Sequence, residues 1–194
     1  MKDTNKNMLE VRWHGRGGQG AVTASKVLAE SAIELGKQIQ AFPEYGSERK
    51  GAPVKAFTRI ADHRIRHHSQ VTNPDVVIVL DASLLETVDV TEGLSEDGIL
   101  IINTQDPPGD VRGKLGLKGR AVYTVDATGI SLRNLGKAIP NTPMIGALLG
   151  ATKLLSPESV AQNFRKKFEG KFKDEVIEGN VQSILDAAQE VKGE

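Results

Sequence analysis

The chain has 194 residues, of which 25 are basic and 25 are acidic, so its formal net charge is zero. This length predicts one domain over residues 1–194, and the balanced charge argues against a nucleic-acid partner, whose phosphates attract an excess of cationic side chains. Cysteine is absent, which excludes disulfides, cysteine nucleophiles, zinc-thiolate sites and cysteine-ligated iron–sulfur clusters within the chain. Because no signal peptide or membrane-spanning run is evident, we expect a soluble cytoplasmic protein without a membrane partner.

A glycine-rich turn joins the first predicted strand to the first predicted helix. Residues 8–13 alternate apolar and polar side chains as a strand does, and residues 21–35 place apolar side chains at helical spacing. The candidate site residues between them are Gly15, Arg16, Gly17, Gly18, Gln19 and Gly20. A strand, a glycine turn and a helix in this order bring backbone N–H groups close to an anion. The turn is therefore a candidate phosphate or cofactor site, and a purely structural turn is the alternative.

The same turn matches the dinucleotide fingerprint G-x-G-x-x-G through Gly15, Gly17 and Gly20. That fingerprint also expects an acidic residue at the end of the second strand, where it binds a ribose hydroxyl. The second predicted strand covers residues 37–42, and Glu44 follows it in a displaced position. Arg16 adds positive charge to the turn, directed either to a phosphate or to solvent.

A charged loop bracketed by two prolines, residues 43–53, follows the second strand. Loops of this length in a compact domain are more often functional than short connections. Arg49 and Lys50 are suited to an anionic ligand, and Tyr45 offers an apolar ring with a polar tip. A solvated surface loop is the alternative interpretation.

The next segment predicts an antiparallel hairpin inside an otherwise parallel sheet. Residues 54–60 alternate like a strand, and residues 64–68 follow after a connection too short for a parallel crossover. His63, His67 and His68 fall in this hairpin. Because adjacent residues on a strand point to opposite faces, we interpret them as exposed histidines rather than as metal ligands.

Three further strands are predicted at residues 76–80, 98–103 and 121–125. The first two are continuous apolar runs, which is typical of strands buried on both faces of a parallel sheet. Asp81 closes the first of them, either as a ligand contact at a strand's carboxyl end or as a helix cap. We expect a short helix at residues 83–88 and a mobile surface connection at residues 104–119.

The C-terminal third of the chain is mainly helical, with helices predicted at residues 130–137, 144–155, 158–168 and 173–191. Gly146 and Gly150 lie four residues apart in the second of these and allow close approach by a neighbouring element. The alternation of strands and helices predicts an α/β fold, a three-layer sandwich with a mostly parallel, mixed sheet and a helical C-terminal part. No complete catalytic motif is present, so we expect a component of a larger assembly.

Three separated motifs, at residues 10–21, 40–54 and 141–147, resemble the gamma subunit of the 2-oxoacid:ferredoxin oxidoreductases. The likeness extends from about residue 9 to the final helix. Within the second motif, the sequences Ala-Phe-Pro and Gly-Ala-Pro-Val are most similar to the pyruvate type of this family, also called pyruvate synthase.

The resemblance implies an enzyme of anaerobic metabolism that converts pyruvate and coenzyme A to acetyl-CoA and carbon dioxide and passes electrons to ferredoxin. It implies alpha, beta and delta subunits as partners, which carry thiamine diphosphate, Mg²⁺ and iron–sulfur clusters, whereas this chain alone binds no cofactor. It also implies that coenzyme A lies at a subunit interface, with Arg49 and Lys50 facing its phosphates. Glu44, Tyr45 and the glycine turn are the other candidate contacts, and no catalytic residue or metal ligand is assigned.

Two alternatives remain open. One is the equivalent subunit of an enzyme for 2-oxoisovalerate, 2-oxoglutarate or an arylpyruvate, because the keto acid is chosen largely on other subunits. The other is a free-standing NAD(P)-dependent dehydrogenase built on the glycine fingerprint. That dehydrogenase needs an acidic ribose contact and a catalytic residue that the sequence does not identify.

Overall fold

The computed structural model describes residues 8–44, 51–66 and 69–194. In chain order, the elements of these residues are β1 (Met8–Arg16), α1 (Ala21–Glu34), β2 (Gln38–Pro43), β3 (Pro53–Ala61), β4 (Val76–Val79), a 3-10 helix (Ala82–Glu86), β5 (Ile99–Asn103), α2 (Pro108–Leu115), β6 (Ala121–Val125), α3 (Ala127–Leu135), α4 (Asn141–Thr152), α5 (Pro157–Phe168), α6 (Asp174–Glu190) and β7 (Lys192–Gly193).

The strands form one mixed sheet in the order β2-β3-β1-β4-β5-β6-β7. Its centre, from β1 through β4 and β5 to β6, is parallel. The antiparallel pairs lie toward the two edges, where β3 pairs with both β1 and β2, and β7 pairs with β6. The central β4 is Val-Val-Ile-Val and is buried at every position, as expected for a strand covered on both faces.

Helices cover both faces of this sheet, which confirms the predicted three-layer α/β sandwich. On one face, Trp13 and Ile78 pack with Leu28 of α1 and with residues of α4, α5 and α6. On the other face, Val77 packs with Leu84 of the 3-10 helix and with residues of α2. The two clusters alternate along the strands because successive strand side chains point to opposite faces. No helix in the described part of the chain is long and apolar enough to cross a membrane.

The predicted hairpin partner of β3 is wrong, because residues 64–66 form no strand. All nine residues of β3 pair with β1, from Pro53 with Arg16 to Ala61 with Met8, and the opposite edge of β3 pairs with β2. Both edges of β3 are therefore occupied, which leaves no ladder for a following strand. His63 is exposed as predicted, whereas residues 67 and 68 lie outside the described residues.

The segment predicted as a mobile connection, residues 104–119, contains the helix α2. Pro108 occupies its first turn, Val111 is buried against the sheet, and Gly116 closes the helix in a left-handed conformation. The four glycines and two prolines of this segment argue against a helix, although proline in the first turn and glycine after the last are compatible with a short one. The two-residue β7 was not predicted either, since it depends on pairing with β6.

The close approach predicted at Gly146 and Gly150 is confirmed between α4 and α6. A Cβ atom on Gly146 would collide with the backbone carbonyl of Ile184, and one on Gly150 with that of Ala188. Helix α4 thus lies close enough to α6 for its glycines to meet the α6 backbone, and residues 142–149 are all buried. This explains why α4 is apolar around its whole circumference.

Candidate functional site at the carboxyl edge of the sheet

The topology creates a crevice between the carboxyl ends of β1 and β4. These strands are parallel neighbours, yet the chain leaves β1 toward α1 on one face and leaves β4 toward the 3-10 helix on the other face. Open α/β sheets bind ligands where the connections diverge in this way. The glycine turn and Asp81 lie at the two sides of this crevice, so the fold itself identifies the turn as a candidate site.

The glycine turn has the backbone geometry that its sequence predicted. Gly18 and Gly20 adopt left-handed φ angles of 99° and 82°, which L-residues with a side chain rarely adopt. Helix α1 begins directly after Gly20, has no side-chain cap and carries no acidic residue in its first turn. The first N–H groups of a helix have no partner within that helix, and here they lie at the crevice. Such a helix end is suited to an anion.

Arg16 is held at the crevice by a set of short contacts rather than extended into solvent. Its Nε lies 3.2 Å from the Asp81 Oδ2 atom, and its Nη2 donates to the Ser83 hydroxyl at 2.9 Å. Its Nη1 donates to the carbonyl of Gly51 at 3.2 Å. The side chain remains 29% exposed. An incoming anion therefore meets a positioned guanidinium that already has an anionic partner.

Gln19 and Asp81 complete this network. The Gln19 Oε1 accepts a hydrogen bond from the Arg16 backbone N–H at 2.7 Å, and its Nε2 donates to Asp81 at 2.7 Å. Burial alone would raise the pKa of Asp81, but hydrogen bonds from Ser83 and Gln19 and the charge of Arg16 outweigh burial and lower that pKa. Asp81 also accepts from the Ser83 N–H and caps the 3-10 helix, which confirms the predicted cap.

The three motifs that carry the family resemblance meet at this turn. Gly17 donates its N–H to the Ala52 carbonyl at 2.9 Å and accepts from the Gly51 N–H at 3.1 Å, which joins the end of the second motif to the first. A Cβ on Gly20 would lie 2.7 Å from the Nδ2 of Asn141, which opens the third motif. The structure therefore brings residues from distant parts of the sequence to one place.

Glu44 does not lie where a dinucleotide site requires an acidic residue. It extends the pairing of β2 with β3 through its N–H, and its carboxylate lies 3.8 Å from the Lys55 Nζ. Because β3 stands between β1 and β2, the second strand is not the parallel neighbour that the fingerprint expects. The other predicted loop contacts, Tyr45, Arg49 and Lys50, lie outside the described residues.

Sequence reasoning missed the polar side chains that reach the crevice from other elements. Ser83 contacts both Arg16 and Asp81, and its position two residues after an aspartate is the local signal for a cap. Asn103, at the carboxyl end of β5, donates to the Leu80 carbonyl at 2.8 Å and to Thr128 at 2.9 Å. These hydrogen bonds join the carboxyl end of β5 to the residue that follows β4 and to α3, next to the crevice.

The histidine that precedes the glycine turn is unsuited to proton transfer near neutral pH. Burial, with the nearby charges of Arg12 and Lys55, lowers the pKa of His14 to about 3. Its Nε2 accepts a hydrogen bond from the Arg12 Nε at 3.0 Å, and Arg12 also donates to the Val90 and Glu92 carbonyls. His14 is therefore neutral and structural. In the described part of the chain, no group of three or more His, Asp and Glu residues is placed to hold a metal ion.

Comparisons with known proteins identify the family. Residues 10–190 match the family model described as pyruvate ferredoxin/flavodoxin oxidoreductase. The chain is 50% identical over 187 residues to the pyruvate synthase subunit PorC of Thermotoga maritima, covering 96% of each protein. It is also 50% identical to the common gamma subunit of the pyruvate/ketoisovalerate oxidoreductases of Pyrococcus abyssi, covering 95% of this chain and 98% of that one.

A solved structure shows the same fold over nearly the whole chain. The crystal structure of the pyruvate oxidoreductase subunit PORC from Thermotoga maritima superposes with a TM-score of 0.85 at 47% identity, and the match covers 97% of this chain and 99% of that one. The chain belongs to the pyruvate ferredoxin/flavodoxin oxidoreductase family.

Proposed function

We propose that this chain is the gamma-type subunit of a multisubunit pyruvate:ferredoxin oxidoreductase, that it acts in the cytoplasm, and that it is not catalytic alone. It assembles with alpha, beta and delta subunits and lines part of the coenzyme A site. The proposal rests above all on one observation, the convergence of three distant motifs on the glycine turn that follows Arg16 and leads into α1. The end-to-end match to relatives named as pyruvate synthase subunits supports the same assignment.

The described residues of the crevice are suited to binding rather than to bond breaking. They offer a guanidinium, helix N–H groups and a glycine turn that leaves space for a phosphate, but the nearest histidine is neutral and buried. Coenzyme A carries phosphates that need positive partners. Arg16 and the start of α1 are therefore proposed to contact them, together with Arg49 and Lys50 of the charged loop.

The remaining chemistry belongs to the partner subunits in this proposal. Thiamine diphosphate with Mg²⁺ supplies decarboxylation, and iron–sulfur clusters carry electrons to ferredoxin. The donor set of this chain does not fit a cluster, because it contains no cysteine. The chain binds and orients coenzyme A at the interface.

Pyruvate is the proposed keto acid, and a subunit shared with a ketoisovalerate enzyme is the second candidate. Relatives with the pyruvate-only name and with the common-subunit name are equally similar, at 50% identity each. Purification of the native complex through this chain, followed by coenzyme A-dependent dye reduction with pyruvate and with 2-oxoisovalerate, separates the two. Activity with pyruvate alone supports the first candidate, and two separable complexes with different activities support the second.

The coenzyme A assignment is tested with the assembled enzyme. Replacing Arg16 with Gln, or Arg49 and Lys50 together with Ala, is expected to raise the KM for coenzyme A about tenfold, the effect of losing one charge-assisted contact of about 1.4 kcal/mol. Cluster content and kcat at saturating coenzyme A stay unchanged. Replacement of the exposed Lys118 with Ala is the matched control. An unaltered KM in the Arg16 and loop variants would refute the coenzyme A role, whereas failure to recover partner subunits would refute the assembly role.

A further inference from the structure

A second pocket adjoins the crevice at the carboxyl edge of the sheet. It lies between the 3-10 helix that follows β4 and the helix α2 that follows β5, and its volume is about 350 Å³. This volume is at the lower end of the range for ligand sites in proteins. The pocket therefore suits one part of coenzyme A rather than the whole molecule.

The walls of this pocket are apolar and its rim is polar. The walls come from residues that belong to the buried cluster on this face of the sheet or pack against it, namely Ala82, Leu85, Val111 and Leu115. Glu86 and Lys114 line the pocket and are exposed, and the Lys114 Nζ donates to Asp106 at 2.7 Å. A flat heteroaromatic ring has apolar faces and a polar edge. Such a ring matches apolar walls with a few polar groups at the rim.

Ser83 joins this pocket to the crevice. It lines the pocket, and its hydroxyl accepts a hydrogen bond from the Arg16 Nη2 at 2.9 Å. The pocket lies at the ends of the neighbouring strands β4 and β5, whereas the crevice lies at those of β1 and β4. Roughly one strand spacing of 5 Å therefore separates the two. A phosphate bound by Arg16 places the group that is bonded to it at the mouth of the pocket.

The chemistry of coenzyme A determines which of its ends this chain can enclose. Its thiol must remain free to leave this chain, because in the proposed function the acyl group that the thiol accepts is formed on a partner subunit. The opposite end carries adenosine, whose purine is a flat heteroaromatic ring and whose ribose is bonded directly to phosphate. The nucleotide end is therefore the part that a pocket within this chain can hold during the reaction.

We propose that the pocket between the 3-10 helix and α2 binds the adenosine of coenzyme A, with the diphosphate at Arg16 and the pantetheine arm directed out of this chain toward a partner subunit. The inference rests on the proposed function, because it takes coenzyme A as the ligand of the crevice. It assigns recognition of the nucleotide end to the four apolar wall residues and gives coenzyme A one orientation on this chain.

The test uses the assembled enzyme and adenosine 3′,5′-bisphosphate, a nucleotide without the pantetheine arm, as a competitor of coenzyme A. Ala82→Leu adds apolar atoms inside the pocket, and Ala138→Leu is the matched control, because Ala138 is exposed and lies outside it. We expect Ala82→Leu to raise the inhibition constant of the competitor and the KM for coenzyme A at least tenfold, while Ala138→Leu leaves both as in wild type. The KM for pyruvate is expected to stay the same in both variants. Equal melting temperatures of the isolated variants exclude unfolding as the cause.

Hydrogen exchange on the wild-type enzyme gives an independent measurement that needs no variant. Residues 82–86 and 108–115 are expected to gain protection when adenosine 3′,5′-bisphosphate is added, and to stay unchanged when pantetheine is added. An unaltered inhibition constant in Ala82→Leu would overturn the adenosine pocket, as would protection by pantetheine in place of the nucleotide. In either case a raised KM for coenzyme A in Arg16→Gln would leave the proposed function intact. A KM for coenzyme A that neither Arg16→Gln nor Ala82→Leu changes would refute both.

Discussion

The contact between α4 and α6 makes opposite predictions for the same substitution at two helical glycines. In α4, a methyl group on Gly146 would run into the backbone carbonyl of Ile184, which cannot rotate away as a side chain can. In α2, Gly113 is exposed and has no atom within 4 Å of an added Cβ. Replacing each with Ala therefore separates the effect of packing from the effect of helix propensity.

The magnitudes follow from the two environments. Overpacking a buried position costs about 3 kcal/mol at the upper end of the usual range, and alanine returns about 1 kcal/mol of helix propensity over glycine. Gly146→Ala is expected to lower the free energy of unfolding by about 2 kcal/mol, whereas Gly113→Ala raises it by about 1 kcal/mol. In a chain of this size these changes correspond to melting temperatures about 4–8 °C lower and about 2–4 °C higher.

Thermal unfolding of the isolated chain, followed by circular dichroism, measures both changes. Gly150→Ala serves as a second contact position, because its Cβ would meet the carbonyl of Ala188. A Gly146→Ala variant as stable as wild type would refute the reasoning that backbone contact holds α4 against α6. Stabilisation of both Gly146→Ala and Gly113→Ala would show that propensity alone decides.

Two further predictions concern buried polar groups near β1. His14 is neutral in the folded chain, because burial above all lowers its pKa to about 3, whereas the unfolded chain takes up a proton at this histidine below about pH 6.5. The free energy of unfolding therefore falls as the pH drops from 6.5 toward 3, and between pH 6.5 and 5 we expect this histidine to lower it by about 2 kcal/mol. Urea titrations at the two pH values measure this loss, which is expected to be smaller in His14→Gln. Trp13, the single tryptophan, donates its indole N–H to the Thr58 hydroxyl at 3.0 Å. Because Thr58→Val leaves this buried donor without an acceptor, we expect it to lower the free energy of unfolding by about 2 kcal/mol, measured by tryptophan fluorescence. Thr58→Ser is the control that keeps the acceptor, and equal stability of Thr58→Val and wild type would contradict this prediction.

The parts of the fold that the sequence predicts well are those with a strong local signal. The buried strands β4 and β5 are continuous apolar runs, and α5 begins with a serine cap followed by proline. Each of these elements can therefore be predicted from a few consecutive residues. The same reasoning fails where pairing is decided at a distance. Only the pairing of β3 with both β1 and β2 shows that its two edges are occupied.

The candidate site likewise has one part that the sequence predicts and one part that depends on the fold. The glycine turn can be predicted from the sequence because a left-handed backbone favours glycine, and Gly18 and Gly20 adopt that conformation. Its partners cannot be predicted from the sequence, because they lie far away along the chain. Arg16 donates to the hydroxyl of Ser83, which is 67 positions away, and Gly20 packs against Asn141 at the start of α4. A resemblance of three motifs signals that they belong together, but the sheet order is what places them in one crevice.

The pairing of Arg16 with Asp81 gives the crevice a testable electrostatic bias. Asp81 positions the guanidinium but also repels an approaching phosphate, and its lowered pKa keeps it charged at neutral pH. Asp81→Asn removes the charge and keeps one oxygen, which accepts from the N–H and hydroxyl of Ser83, while an NH2 group replaces the oxygen that accepts from Gln19. If coenzyme A phosphates bind here, this variant is expected to lower the KM for coenzyme A roughly twofold to fivefold, the size of a partly exposed charge interaction.

Added salt should shrink this difference, because screening weakens the repulsion. Dephospho-coenzyme A, which lacks one phosphate group, identifies the phosphate that binds in the crevice. If the ratio of the wild-type KM to the Asp81→Asn KM is the same for dephospho-coenzyme A as for coenzyme A, the diphosphate binds there. If the ratio is smaller for dephospho-coenzyme A, the missing phosphate group binds there. A KM that rises in Asp81→Asn would contradict the repulsion and show that positioning of Arg16 dominates. In the structure the guanidinium has two further acceptors, Ser83 and Gly51, that hold it without Asp81, so release of repulsion is the expected outcome.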